Sequence, residues 1–258
     1  MTESVRMAEL AWPELGERLA GGGPVFLPCG SFEQHGPHLP MSVDMLVPAA
    51  IAEAVAARTG GLVAPALAYG YKSMPKTGGG PHFPGTINLD GATLTDLVRD
   101  VIRELYRHGA RRVCAVVGHY ENQWFVTEGI DLVVRELGDP DFSVMRLEYW
   151  DFMPREVIEE TFPGGFDNIH LEHAAVMETS LMMHLYPDQV RIDRIPDDPP
   201  ADFPPYDMWP ARRDWVPSSG ALTSAKAASA EKGRRIMESV VDGIAAAVLK
   251  ELAARDGK

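Results

Sequence analysis

Apolar residues along the chain fall into two alternating patterns. Short continuous runs bounded by glycine, proline or charged pairs predict buried strands. They cover Val25 to about Pro28, Leu62 to Leu67 and Arg111 to Val117, and Phe142 to Trp150 supplies a fourth. Between them apolar positions recur at helical spacing. One helix begins near Pro13, which suits a first-turn position, and ends at Gly21 to Gly23. A second runs from about Val47 to Arg58 and stops at Gly60 and Gly61. Thr93 is the expected cap of a third, in which Leu94, Leu97, Val98, Val101, Ile102 and Leu105 share a face and Gly109 ends the pattern. A fourth spans about Gln123 to Leu137.

Past the fourth strand come a short helix near Pro154 to Glu160 and a longer one opened by Glu172 and His173 and closed by Pro187. A final helix runs from about Ser224 to near Ala254. Two stretches carry no period. Residues 69–86 are rich in glycine and proline and predict a long ordered loop or lid. Residues 193–217 hold many prolines and two tryptophans and predict an extended surface arm.

Strands alternating with helices predict an α/β fold: a single three-layer α/β/α domain over residues 1–258, with a mostly parallel sheet. Ligands in such folds bind outside the carboxyl ends of the strands. Composition narrows the partners. A net charge of −13 argues against nucleic acid, which needs a clustered basic face. No apolar run approaches the length of a bilayer span, and the N-terminus lacks the apolar core of a signal peptide. Cys29 and Cys114 are the only cysteines, so the expected setting is the reducing cytoplasm.

Two loops at predicted strand ends concentrate the chemistry. Glu33, His35 and Asp44 follow the first strand, and His119 and Glu121 follow the third. Carboxylates with imidazoles suit Zn²⁺ or Mn²⁺, and five such groups exceed what one four-coordinate ion needs. Two divalent ions are therefore expected. Water bound to such ions ionises near neutral pH, which suits hydrolysis of amides, esters or phosphates. A leaving nitrogen or oxygen needs a proton, and Glu172 and His173 are the candidates, since a helix N-terminus favours a neutral imidazole. His38, His82, His108 and His184 read as structural or surface residues and Cys29 as a small packing group.

These residues carry a family resemblance. Glu33-Gln34-His35-Gly36, then His38-Leu39-Pro40 and Asp44, resembles the metal-binding signature of the creatininase family of amidohydrolases. Similarity continues through Tyr69-Gly70-Tyr71-Lys72-Ser73, Gly78 to Gly80, His82 to Thr86, and Leu89 to Thr93. Gly118-His119-Tyr120-Glu121-Asn122, Tyr149-Trp150-Asp151-Phe152, Glu172-His173 and Glu178-Thr179-Ser180 follow in the family's order. The resemblance implies that Glu33, Asp44 and His119 hold one metal and His35, Asp44 and Glu121 the other. It implies Zn²⁺ with Mn²⁺ or Mg²⁺, a homohexamer, and opening of a cyclic amide, creatinine to creatine. Thr77, Tyr120, Trp150, Ile169 and His170 would bind the substrate, with His173, Glu172 and Glu121 catalytic.

One departure stands out. Creatininases carry a Trp-Asp pair shortly before the Glu-His, and Ile169 and His170 occupy those positions here. An aliphatic side chain supplies neither stacking nor cation attraction. That pair favours a related hydrolase of a formamide, lactam or oxidised cyclic polyol as the alternative, and paired carboxylates and histidines would serve a metal-dependent sugar isomerase equally well.

Overall fold

The computed structural model describes residues 4–166 and 168–256, with side chains through Glu251. In chain order its elements are α1 (Trp12–Ala20), β1 (Val25–Cys29), α2 (Val43–Thr59), β2 (Leu62–Val63), α3 (Pro75–Gly78) and α4 (Gly91–Arg107). Then come β3 (Arg112–Val117), α5 (Asn122–Leu137), β4 (Ser143–Glu148), α6 (Arg155–Thr161), α7 (Val176–Leu185) and α8 (Ala230–Asp256).

The four strands form one sheet in the order β2-β1-β3-β4, and every pairing is parallel. Alternate side chains feed two separate cores, as the two-residue period of a strand requires. Phe26, Cys114 and Val116 point into the layer with Ile51 and Val55 of α2, Leu181 of α7 and Ile236 and Ile244 of α8. Val25, Leu27, Val113, Ala115 and Val117 point the other way, against Leu94, Val98 and Ile102 of α4 and Val126 and Val133 of α5. Each fully buried Ile or Leu contributes roughly 1.5–3 kcal/mol. Helices on both faces of a parallel sheet make the expected three-layer α/β fold.

Strand order reverses between β1 and β3. The chain leaves β1 through α2 toward β2, then returns past β1 through α4 to reach β3. Such a switch opens a crevice at the strands' carboxyl ends. The loops carrying Glu33 and His35, and His119 and Glu121, leave the sheet there.

Several element limits differ from expectation. α2 begins at Val43, so Asp44 stands in its first turn and not in the loop. Pro48 has no N–H to offer the Asp44 carbonyl four residues back. That carbonyl packs instead over two glycines: a Cβ on Gly30 or on Gly118 would lie 2.4 Å from the Asp44 oxygen. α4 starts at Gly91, before Thr93, because Asp90 is the extended residue at its N-terminus. The 69–86 stretch contains the one-turn α3, opened by Pro75. α7 begins at Val176: Ala174 has φ +55° and Ala175 is extended, so the chain through Glu172 and His173 is not yet helix. α8 begins at Ala230, because the preceding Ala221, Leu222 and Ala225 are buried in non-helical chain.

The seating of α2 on Gly118 is testable. Gly118→Ala should cost about 1–3 kcal/mol in denaturant titration, as overpacking does. Gly16→Ala is the control, since Gly16 lies inside α1 with nothing within 4 Å of its added Cβ. It should stabilise by up to about 1 kcal/mol.

Candidate metal centre

β1 and β3 lie in register, with Cys29 opposite Val117. Asn122 ties the loops beyond them together. Its amide nitrogen donates to the carbonyls of Cys29 (3.2 Å) and Gly30 (2.9 Å), and its Oδ1 accepts from the Tyr71 N–H (2.8 Å). Glu33, His35, Asp44, His119, Glu121, Glu172, His173 and Glu178 are all buried in the space these loops enclose or border.

Asp44 is the hub. Its Oδ1 lies 3.1 Å from His35 Nε2, and its Oδ2 lies 3.2 Å from His119 Nδ1. His119 Nδ1 is also 3.1 Å from Glu33 Oε1, and His35 Nε2 is 3.6 Å from Glu178 Oε2. Two groups with ligand geometry thus share Asp44: Glu33, Asp44 and His119, and His35, Asp44 and Glu178. A third contains Glu33, His35 and His173.

Each imidazole is turned by its other nitrogen. His35 Nδ1 donates to the Glu33 carbonyl (3.2 Å), which leaves Nε2 free to face Asp44. His119 Nε2 donates to the Tyr71 carbonyl (2.9 Å), which leaves Nδ1 toward Glu33 and Asp44. Glu121 stands behind His119, with Oε2 3.4 Å from Nε2. Its Oε1 accepts from the Met74 N–H (2.7 Å) and the Thr77 hydroxyl (2.5 Å). Among the described residues the group around His35 and Asp44 is therefore completed by Glu178, whereas the expected partner Glu121 lies on the far side of His119.

The electrostatics ask for positive charge. Burial pushes the Glu33 carboxyl up to about 7, with His119 pulling it down and Asp44 and Glu121 pushing it higher. Burial works against charge on His35 and His119, yet Asp44 and Glu178 raise the first, and Glu33 and Glu121 the second, well above the usual range. Glu33 Oε2 and Asp44 Oδ2, both within the Glu33, Asp44 and His119 group, are buried without a hydrogen-bond donor. Buried carboxylates that lack donors are stable when they coordinate a cation. Imidazole nitrogens with carboxylate oxygens form a donor set suited to Zn²⁺ and Mn²⁺.

A cavity opens onto this cluster, walled by Thr77, Tyr120, Trp150, Ile169, Glu172 and His173. His170 is exposed at the rim, where its Nε2 meets the Tyr120 hydroxyl at 2.6 Å. Tyr120 in turn stacks on Trp150, with ring centroids 6.3 Å apart. Glu172 closes a 3-10 turn over Ile169–Glu172, and its Oε2 accepts the Met177 N–H (2.8 Å) inside α7. Burial raises its carboxyl to about 8. His173 is pushed well below the usual imidazole range, first by burial and then by His35. The expected helix N-terminus is not the cause, because α7 starts three residues later.

Residues 8–248 match the family described as creatinine amidohydrolase. The chain belongs to the creatininase family. A creatinine amidohydrolase of Pseudomonas putida is 54% identical over 256 residues, 97% of this chain and 98% of its own. Two solved creatininases share the fold at a TM-score of 0.94. One, a mutant of the Zn-Zn type, is 53% identical and covers 97% of this chain and 99% of its own. The other, named "Creatininase Mn", is 54% identical and covers 96% and 99%.

Within this creatininase-family site, sequence reasoning passed over Glu178, Gln34 and Asn122. All three lie inside the motifs that carried the resemblance, but none has a spacing that marks it as a partner. Glu178 comes from α7, far along the chain from His35. Chelation should lower the thermal midpoint, and restoring Zn²⁺ or Mn²⁺ should raise it again as the unfolding free energy gains RT ln(1 + [L]/Kd), about 2.7 kcal/mol at a hundredfold excess over Kd.

Proposed function

We propose that this protein is a dinuclear metal hydrolase that opens creatinine to creatine by cleaving a ring carbon–nitrogen bond. What supports the assignment above all is Asp44, whose two oxygens face two imidazoles from two different loops. Glu33, Asp44 and His119 would hold one divalent ion, and His35, Asp44 and Glu178 the other, with Zn²⁺ and Mn²⁺ the fitting pair. Such ions supply Lewis acidity toward a carbonyl and lower the pKa of water.

The chain's own residues do the rest. Thr77 and the Met74 N–H hold Glu121 with its Oε2 3.4 Å from His119 Nε2, while the Tyr71 carbonyl accepts the hydrogen bond that turns the His119 ring. Glu121 therefore serves as an orienting partner, of the kind whose loss costs tenfold to a hundredfold in affinity or rate. Tyr120 and Trp150 offer the flat faces against which a planar ring can lie, and Ile169 closes the cavity with an aliphatic surface. Hydrogen donation to the reacting atoms falls to Glu172 and His173, the titratable pair in the cavity wall outside the two groups joined by Asp44.

The same assignment carries one domain, a homohexamer and a cytoplasmic setting. An apolar groove lined by Met7, Leu15, Leu19, Leu67, Val101 and Leu105 supports association. No helix among the described residues is long and apolar enough to cross a membrane.

Protein loaded with Zn²⁺ and Mn²⁺ should convert creatinine to a product heavier by one water. Turnover of another cyclic amide, a formamide or a cyclic polyol ketone, with none of creatinine, would move the substrate and leave the hydrolytic chemistry in place. An isomerised product of unchanged mass would overturn both. Metal analysis separates the ligand sets: Glu178→Gln should lose about one equivalent, while Glu121→Gln should keep both and lose roughly 10- to 100-fold in rate.

A further inference from the structure

Gln34 lies in the middle of the Glu33-Gln34-His35 segment, yet its side chain points away from the two groups joined by Asp44 and toward His173. Its amide nitrogen is 2.8 Å from His173 Nε2, 3.1 Å from the Gly78 carbonyl and 2.9 Å from the Gly220 carbonyl. Its Oε1 accepts the Gly36 N–H at 2.8 Å. These contacts settle which end of the amide is which. Turning it over would set an oxygen against two carbonyl oxygens and an NH₂ against the Gly36 N–H. The group facing His173 is therefore the NH₂, whose two hydrogens are shared among Nε2 and the two carbonyls and which accepts no hydrogen bond.

The consequence falls on the imidazole. An N–H at Nε2 would point into a donor inside the protein, and a buried donor without an acceptor costs about 1–3 kcal/mol. Nε2 must be the bare nitrogen, so a neutral ring carries its proton on Nδ1. That nitrogen faces Glu33, with Oε1 3.6 Å away. The ring itself is held by tilted contact with His35 at 4.3 Å between centroids.

We propose that Gln34 is a positioning residue that fixes His173 in the Nδ1–H form, so that His173 serves the site as a hydrogen-bond donor. It then offers no lone pair to a cation, although it lies within ligand distance of Glu33 and His35. Nor can it take up a proton on the side that faces the reacting atoms. His173 donates a hydrogen bond to an oxygen or nitrogen of the substrate, and Glu172 is left as the member of the pair able to part with a proton. The proposal rests on the site being a creatininase centre.

The test is the ring's protonation, read by solid-state nitrogen NMR on full-length, zinc-loaded protein labelled with ¹⁵N-histidine. His173 is assigned by the signal lost in His173→Asn. The expected spectrum shows a protonated Nδ1 and a bare Nε2. A proton on Nε2, on both nitrogens, or a metal-bound Nδ1 overturns the proposal. Creatinine turnover by the same sample tests the site assignment separately, so either can fail alone. Gln34→Met, which removes the donor, should populate both neutral forms and lower kcat roughly 10- to 100-fold at unchanged metal content. A ring unchanged in that variant also overturns it. His173→Asn keeps an N–H near the place of Nδ1 and should retain at least tenfold more activity than His173→Ala, whereas equal losses would exclude the donor role.

Discussion

Everything at the centre depends on how closely the first turn of α2 approaches the sheet. Asp44 reaches both imidazoles because its own backbone carbonyl rests over Gly30 and Gly118, where a Cβ would come within 2.4 Å. Those glycines follow β1 and β3, the two strands on either side of the order reversal. Pro48 is part of the same device. It cannot donate to the Asp44 carbonyl, and its ring sits 2.4 Å from where a Cβ on Gly118 would be. The helix is wedged onto the switch point, and the shared carboxylate is carried in with it.

Around that hub the protein assembles buried carboxyl groups and holds them by hydrogen bonds, most of them from backbone N–H groups. Glu121 is anchored by the Met74 N–H and Thr77, Glu178 by the Ala174 N–H at 2.7 Å, and Glu172 by the Met177 N–H. These bonds fix each carboxylate before any cation arrives, and a rigid set of oxygens and nitrogens binds without further ordering cost. Ala174 takes part at some expense. At φ +55° it lies in the left-handed region that non-glycine residues avoid, at roughly 1–2 kcal/mol. The kink delivers His173 to the cavity on one side and starts α7 on the other.

Much of the fold and the ligands' chemistry was legible in the sequence, for a physical reason. Strand and helix periods come from local burial, so β1, β3, β4 and α5 read to within a residue or two. Glu33, His35 and His119 could be picked out as candidates because they lie in the loops that leave β1 and β3 at their carboxyl ends, where parallel sheets place ligands, whereas Asp44 enters from the first turn of α2. The limits of α2 and α7 were not legible, because tertiary contacts set them: the seating over Gly30 and Gly118, and the turn at Ala174. The grouping of Glu178, and not Glu121, with His35 and Asp44 has the same origin. Glu121 is near His119 in sequence, but which face of that ring it meets depends on the α3 turn that grips it. Glu178 belongs to a helix that nothing local connects to His35.

Substrate choice is decided at a different level from bond breaking. The groups joined by Asp44 lie buried at the strand ends, whereas Ile169 and His170 belong to a one-turn segment at the mouth. His170 is bonded to the Tyr120 hydroxyl, and Tyr120 stacks on Trp150, so a change at the rim reaches the flat surfaces where a ring would lie. A carboxylate at position 170 would attract a guanidinium-like group, while the His170 imidazole there spends its Nε2 on the Tyr120 phenol. On the proposed role of these residues, selection among planar amides would follow shape and hydrogen bonding at Tyr120 more than charge, without altering the centre below.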